Sequence, residues 1–127
     1  MNAANNKKIL IVEDNKDFLW ILRESFKNQG MVVVYAQDGE EGLAQAQKEN
    51  PDLIIIDVGL PKMDGIAMSK KIKEKGVAAQ MIFLTNLKDA HHVGDAIDSA
   101  ETADYIIKSD VRMDDIVARA KEKLGLK

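Results

Sequence analysis

Cysteine is absent from this chain, and its absence removes several classes of chemistry. None of the 127 residues carries a thiol, so disulfide bridges, zinc sites built on thiolates and cysteine nucleophiles are excluded. Only two histidines are present, His91 and His92, and adjacent positions on a helix do not share a face. We therefore expect these imidazoles to be solvated rather than to form a metal site.

Long apolar runs and an excess of positive charge are also missing. No apolar stretch approaches the ~20 residues that span a bilayer, and the polar start from Met1 to Lys8 lacks the apolar core of a signal peptide. The formal net charge of -3 gives no basic field to attract nucleic acid or an anionic membrane. These features predict a cytoplasmic protein without direct contact with nucleic acid or membrane.

The composition that remains is that of an ordinary globular domain, with 46% hydrophobic and 31% charged residues. We expect one domain over residues 1–127, with a core from about residue 7 to residue 124 and no second domain. Short apolar runs alternate with amphipathic stretches, which predicts an α/β fold with a five-stranded parallel sheet and helices on both faces. The predicted strands are Lys8–Val12, Met31–Ala36, Leu53–Asp57, Met81–Thr85 and Tyr105–Lys108. The predicted helices are Lys16–Gln29, Gly39–Lys48, Gly65–Lys75, Ala90–Ala100 and Met113–Leu124.

Carboxylates follow two of the most apolar strands. Glu13 and Asp14 come directly after the first strand, and Asp57 ends the third. Open α/β sheets bind their ligands at the carboxyl ends of such strands, so we expect the three acids to lie together. Like charges at short range raise one another's pKa unless a cation intervenes. Oxygen ligands without histidine or cysteine favour Mg²⁺.

Two further polar side chains end strands at the same edge. Thr85 follows the apolar run of the fourth strand, and Lys108 ends the fifth. A lysine there can bridge to a carboxylate or hold a phosphoryl oxygen as a point charge. A threonine hydroxyl can donate a hydrogen bond to an added phosphoryl oxygen. Together with the three acids, these residues predict a site for phosphoryl chemistry.

In combination, the motifs resemble the receiver domain of two-component response regulators. The resemblance covers essentially the whole chain, from Lys7 to Leu124, and implies a flavodoxin-like sheet of strand order 2-1-3-4-5. The matching segments are Ile9–Asp14, Pro51–Asp57, Leu60–Gly65, Leu84–Thr85 and Tyr105–Lys108.

The resemblance implies a role for each residue of the site. Asp57 matches the phosphoacceptor, which takes its group from a sensor histidine kinase, a histidine phosphotransfer protein or a small donor such as acetyl phosphate. Such a protein is not an enzyme with a separate substrate, because it catalyses only its own phosphoryl transfer and slow dephosphorylation. Glu13, Asp14, Asp57 and the backbone carbonyl of Gly59 match the Mg²⁺ ligands. Lys108 matches the lysine that pairs with the phosphoryl group, and Thr85 and Tyr105 match the switch pair.

The family's usual output surface would be built from the last part of the chain. It would comprise the predicted helix Ala90–Ala100, the strand Tyr105–Lys108 and the helix Met113–Leu124, and it would dock an unknown output protein. We expect a monomer or a weak homodimer. Trp20 lies off the apolar stripe of the first helix and is predicted at the surface, or as an anchor for a partner.

Two positions depart from the family's pattern. Ser109 stands where a proline usually follows the lysine, so we expect a trans Lys108–Ser109 bond or a strained cis one, and Ser109 or Asp110 as the cap of the last helix. Asn86 is larger than the residue usual after the switch threonine. These departures leave one alternative open, which is a degenerate receiver that acts as an interaction module without phosphorylation.

Other classes fit the residues less well. An FMN-binding flavodoxin needs a phosphate-binding loop after the first strand, but the loop from Glu13 to Asp17 is acidic. A phosphatase with an aspartyl nucleophile would want a second acid two residues after Asp57, and Gly59 stands there.

Overall fold

A computed structural model of the chain describes residues 6–86 and 104–126. Its centre is a sheet of five parallel strands in the order β2-β1-β3-β4-β5. The predicted fold class and strand order are both confirmed. The strands are β1 (Lys8–Val12), β2 (Val32–Ala36), β3 (Leu53–Asp57), β4 (Gln80–Thr85) and β5 (Asp104–Ile107).

Four α-helices lie in the described ranges. They are α1 (Lys16–Lys27), α2 (Gly39–Glu49), α3 (Gly65–Glu74) and α4 (Met113–Lys123). The predicted helix Ala90–Ala100 lies outside the described residues. Within those ranges, no helix is both long enough and apolar enough to cross a membrane.

The sheet is covered on both faces, and β3 is buried at all five positions. Successive side chains of a strand point to opposite faces, so each apolar strand serves two cores. The first core joins the sheet to α1 and α4 and includes Ile9, Ile11, Leu22, Phe26, Leu53, Ile55, Ile106 and Ile116. The second joins the sheet to α2 and α3 and includes Leu10, Val12, Ala46, Ile54, Ile56, Met68, Ile72 and Phe83.

The same alternation sorts the polar residues at the strand ends. Glu13 and Asp57 continue the positions of β1 and β3 that face α1 and α4, and Lys108 continues the position of Ile106. Thr85 and Tyr105 have the opposite parity and share the face of Met81 and Phe83. The fold therefore directs the acids and the lysine to one face of the sheet, and the two predicted switch residues to the other.

Three helices begin with the same kind of cap. The side-chain oxygens of Asn15, Asp38 and Asp64 accept backbone N–H groups three residues later, at 3.0, 2.8 and 2.9 Å. Such caps satisfy amide groups that have no partner inside the helix. They fix where the loops of the site end and where α1, α2 and α3 begin.

The capping residue of α4 differs from the prediction, although the helix begins at Met113 as predicted. Ser109 and Asp110 do not cap this helix, because Lys108–Asp110 forms a separate 3₁₀ turn and Arg112 is the capping residue. The Asp115 carboxylate accepts the Arg112 backbone N–H at 3.2 Å. Lys108 is therefore the first residue of the turn rather than the last of β5. The Lys108–Ser109 bond is trans, which is the first of the two states expected from the sequence.

Candidate functional site

Asp57 lies at the carboxyl end of the most buried strand and is only 4% exposed. One carboxylate oxygen, Oδ1, accepts the backbone N–H of Gly59 at 3.1 Å. The other, Oδ2, lies 3.5 Å from the Nζ atom of Lys108. Burial raises the pKa of Asp57, and the Lys108 charge opposes this shift. A partly desolvated carboxylate held by a cation is a suitable nucleophile toward an electrophilic phosphorus.

Glu13 is fully buried beside Asp57. Its Oε2 atom accepts the backbone N–H of Asn15 at 3.0 Å, and its Oε1 atom lies 2.7 Å from Lys108 Nζ. Burial raises the pKa of Glu13 to about 7, and the Asp57 charge adds to this, whereas Lys108 and the Asn15 N–H oppose it. Glu13 is thus a carboxyl group whose charge depends on the cations around it.

Lys108 joins the two buried acids into one cluster. Its ammonium group contacts both carboxylates, and its side chain is only 17% exposed. The same ammonium lies 4.8 Å from the centroid of the Phe18 ring, within the range of a cation–π interaction. The sequence analysis did not identify Phe18 as a residue of the site. Its place three residues after the cap Asn15, next to the acidic loop, was the available signal.

Asp14 completes a group of three acids that fits a divalent cation. Asp14 is exposed, and it offers an oxygen that lies within 4.8 Å of one oxygen each from Glu13 and Asp57. Although Lys108 Nζ is close to Glu13 Oε1, this buried oxygen makes no well-directed hydrogen bond in the described part of the chain. An under-satisfied oxygen in an all-oxygen donor set suits a hard ion such as Mg²⁺.

Thr85 and Tyr105 occupy contrasting environments. Thr85 is fully buried, and its hydroxyl donates to the backbone carbonyl of Asn86 at 3.1 Å. Tyr105 is 42% exposed, and it pairs in register with Phe83, two residues before Thr85. Asn86 is exposed and lines a cleft beside Lys108 together with Asn15, Phe18 and Ser109. Asn86 therefore lies at the side of the cluster that Lys108 occupies.

The loop after β3 is held on two sides. The Val58 N–H donates to the Leu84 carbonyl at 2.9 Å, and the Gly65 N–H donates to the Val58 carbonyl at 3.0 Å. A Cβ atom at Gly65 would collide with the Asp57 carbonyl oxygen and lie 2.7 Å from Ile56 Cγ2. Glycine is therefore required where the helix α3 begins, directly beside the candidate phosphoacceptor.

Lys62 connects this loop to the start of α2. Its backbone is left-handed, with φ of 68°, and its Nζ atom lies 3.6 Å from Asp38 Oδ2. The N–H of Glu41 holds the pKa of Asp38 below its ordinary value, and the Lys62 charge adds to this. The contact ties the tip of the loop to a neighbouring helix cap.

Comparison with known proteins decides the family. The family model described as the response regulator receiver domain matches residues 9–121. The chain belongs to this family.

Relatives with curated descriptions are transcriptional regulators. The receiver is 41% identical over 80 residues to the alkaline phosphatase synthesis transcriptional regulatory protein PhoP of Bacillus subtilis, which covers 63% of this chain and 33% of that protein. It is 38% identical over 106 residues to the probable transcriptional regulator ycf27 of Cyanophora paradoxa, covering 82% of this chain and 43% of that protein. The chain thus spans less than half the length of these two relatives.

Solved receiver structures share the fold. A CheY-like response regulator receiver domain protein from Methanospirillum hungatei superposes with a TM-score of 0.79 at 30% identity, covering 95% of each chain. The REC domain of AraT, a response regulator from Geobacillus stearothermophilus, superposes with a TM-score of 0.80 at 33% identity, covering 94% of this chain and 95% of that one. In each comparison, the similarity covers nearly all of this chain and of the solved chain.

The raised pKa of Glu13 predicts an unusual dependence of stability on pH. The folded state holds the Glu13 proton up to about pH 7, whereas the ordinary value is 4.5. The folded state therefore binds more protons between these values, and the contribution of Glu13 to the free energy of unfolding falls as pH rises through this window. Thermal unfolding of the protein in EDTA should show this trend relative to Glu13→Gln. Equal pH dependence of the two proteins would contradict it.

Removing the cation from the cluster should destabilise the fold in a pH-dependent way. In Lys108→Met two buried carboxylates lose their counter-charge, so we expect a loss of about 3 kcal/mol, larger at about pH 8.5 than at about pH 5 because protonation relieves the repulsion. Denaturant unfolding at both pH values measures it. The control is Lys62→Met, which removes an exposed lysine and should cost less than about 1 kcal/mol. An equal loss in both variants would contradict the role assigned to Lys108.

Proposed function

We propose that this receiver is phosphorylated on Asp57 and that the phosphoryl group changes its docking to other proteins. The observation that carries the proposal is the Lys108 ammonium, which lies between Asp57 and Glu13 at 3.5 and 2.7 Å. A receiver that had lost this chemistry would have no need to keep a costly buried cluster of like charges.

In the proposed reaction an Asp57 carboxylate oxygen attacks the phosphorus of the donor. A phosphorus–oxygen bond forms to Asp57, and the bond between phosphorus and the leaving group breaks. The leaving group is the imidazole of a phosphohistidine, or acetate when acetyl phosphate is the donor. The transferred group carries its negative charge on the equatorial oxygens, so positively charged groups must surround it.

Different residues of the cluster would supply the positive charge around the phosphoryl group and orient the nucleophile. Glu13, Asp14, Asp57 and the Gly59 carbonyl would hold Mg²⁺, which would neutralise charge on the phosphoryl oxygens. Lys108 is already beside Asp57 and would exchange its carboxylate contact for one with the phosphoryl group. The Gly59 N–H, which now donates to Asp57 Oδ1, orients the carboxylate. The protein turns over no separate substrate, so we assign it as a signalling phosphoacceptor rather than an enzyme.

The switch would pass from Thr85 to Tyr105. The Thr85 hydroxyl now donates to a neighbouring carbonyl, which is a weak partner compared with a charged phosphoryl oxygen. If this hydroxyl turns toward phosphorylated Asp57, it vacates space on the face of the sheet that Tyr105 shares. Half-exposed Tyr105 would then pack inward, which is a shift between two populations driven by a local charge.

The proposed role as a phosphoacceptor implies two kinds of protein partner, a phosphoryl donor and an output protein. A sensor histidine kinase or a histidine phosphotransfer protein would supply the phosphoryl group. An output protein would bind the face that includes Tyr105 on β5, together with α4 and the predicted helix Ala90–Ala100. A cytoplasmic location stays a prediction. The degenerate receiver remains the second candidate, because Ser109 and Asn86 are unusual at their positions.

Intact mass spectrometry after incubation with acetyl phosphate and Mg²⁺ tests the proposal. We expect a single phosphoryl adduct on the wild-type chain and none on Asp57→Asn, which keeps the shape of the side chain but removes the nucleophile. Asp52→Asn is the matched control, because Asp52 caps the start of the buried β1 through the Lys8 N–H at 2.8 Å and lies away from the cluster. An adduct that persists in Asp57→Asn would contradict the assignment of Asp57, and no adduct on the wild type with any donor would favour the degenerate receiver.

A further inference from the structure

The open edge of the sheet at β2 includes exposed residues, and the five residues of β2 themselves carry none of the usual protective devices. Its five residues pair with β1 in unbroken register, and the sequence Val-Val-Val-Tyr-Ala contains no lysine, proline or bulge. Natural proteins use such devices to keep open strand edges from pairing with other chains. Val32 is 51% exposed and Tyr35 is 41% exposed.

The direction of the backbone groups along β2 follows from its pairing with β1. The Val32 N–H donates to the Lys7 carbonyl, and the Ala36 carbonyl accepts the Glu13 N–H, both at 3.0 Å. Val32, Val34 and Ala36 therefore direct their backbone groups toward β1. Successive residues of a strand use opposite edges, so Val33 and Tyr35 direct theirs outward. These two residues present two donors and two acceptors at the edge.

We propose that this edge is a dimerisation surface, at which β2 of one chain pairs antiparallel with β2 of a second copy. A two-fold axis at Val34 sets Val33 of each copy opposite Tyr35 of the other. All four outward groups of each chain are then satisfied in four hydrogen bonds, because Val33 and Tyr35 exchange both their N–H and C=O groups. The two sheets become one continuous ten-stranded sheet.

Side chains on the α1 side of this edge suit the same partner. Val33 packs against the core beneath α1, and Tyr35 is on the same side of the sheet. The Arg23 guanidinium lies 4.2 Å from the Tyr35 ring centroid and 5.8 Å from that of Trp20, which is 59% exposed. In the dimer each Tyr35 is covered by a valine of the other copy, and the aromatic and guanidinium groups fill the space between the two α1 helices.

Charge on the α2 side selects a second copy rather than an unrelated strand. A cleft beside β2 is lined on α2 by Glu41, Gln45, Lys48 and Glu49. Glu49 is already paired with Lys8 at 3.0 Å, whereas Lys48 has no carboxylate within 4.0 Å in residues 6–86 and 104–126. Glu41 and Lys48 lie about two helical turns apart on α2, on either side of Gln45. A two-fold axis beside Gln45 would set Glu41 of each copy opposite Lys48 of the other. Two complementary pairs form.

A single engineered cysteine tests the register directly, since the chain contains no other. Residues on the axis of an antiparallel pair have Cα atoms about 4.5 Å apart, within the range that a disulfide spans. We expect Val34→Cys to form a covalent dimer on mild oxidation. Ala78→Cys, exposed in the connection between α3 and β4, is the control and should stay largely monomeric. Equal crosslinking in the two variants would overturn the proposal.

Analytical sedimentation of the wild-type chain, which lacks the engineered cysteine, tests the interface independently. We expect a concentration-dependent dimer that Val33→Pro abolishes, because the ring removes an outward N–H, and that Val33→Thr retains. Lys48→Glu should raise the dissociation constant about tenfold, since two symmetry-related contacts change from attraction to repulsion. Lys70→Glu, the same charge change on α3, should leave it unchanged.

These variants also separate weak pairing from misfolding. If circular dichroism shows that Val33→Pro does not fold, the comparison of Lys48→Glu with Lys70→Glu decides the proposal. A wild-type chain that stays monomeric at millimolar concentration, or a dimer equally sensitive to both charge changes, would overturn it. Phosphorylation of Asp57 is not needed for this pairing, so failure here leaves the proposed function standing.

Discussion

The contact of Lys108 with two buried carboxylates is the interaction on which the rest of the site depends. Burial raises the pKa of both Glu13 and Asp57, and the Asp57 charge raises that of Glu13 further, so the neutral forms would be favoured without a cation. The Lys108 ammonium opposes the rise in the pKa of Asp57 and so favours the charged form that a nucleophile needs. The cluster is also adjustable, because any cation or phosphoryl group that enters changes which atoms Lys108 can hold.

The sheet makes this contact possible because the side chains at the ends of three strands lie on the same face. The position of a side chain along a strand fixes the face it occupies, so Glu13, Asp57 and Lys108 meet beside α1, whereas Thr85 and Tyr105 lie on the opposite face. The proposed signal from Asp57 to Tyr105 would therefore pass around the end of β4, where Thr85 stands. The hydrogen bonds of the loop after β3 and the close packing of Gly65 hold the backbone on both sides of Asp57 in place.

Much of this arrangement could be predicted from the sequence, because it depends on local patterns. The alternation of apolar runs with amphipathic stretches predicted the strands and their parallel pairing. The acids that follow β1 and end β3 predicted the shared edge, and the structure brings these acids together. The 3₁₀ turn and cap before α4 and the contact of Lys108 with Phe18 could not be predicted in this way. Both depend on how the 3₁₀ turn after β5 packs against α1, which is a tertiary choice that no local pattern records.

Nuclear magnetic resonance of the lysine ammonium groups, with ¹⁵N-labelled lysine, tests the central claim most directly. The signal of Lys108 is assigned by its loss in Lys108→Arg. If the ammonium is held by Glu13 and Asp57 and shielded by Phe18, its protons exchange slowly with water, and the signal shifts in both Glu13→Gln and Asp57→Asn. A Lys108 signal that exchanges as fast as those of exposed lysines and responds to neither substitution would contradict the account.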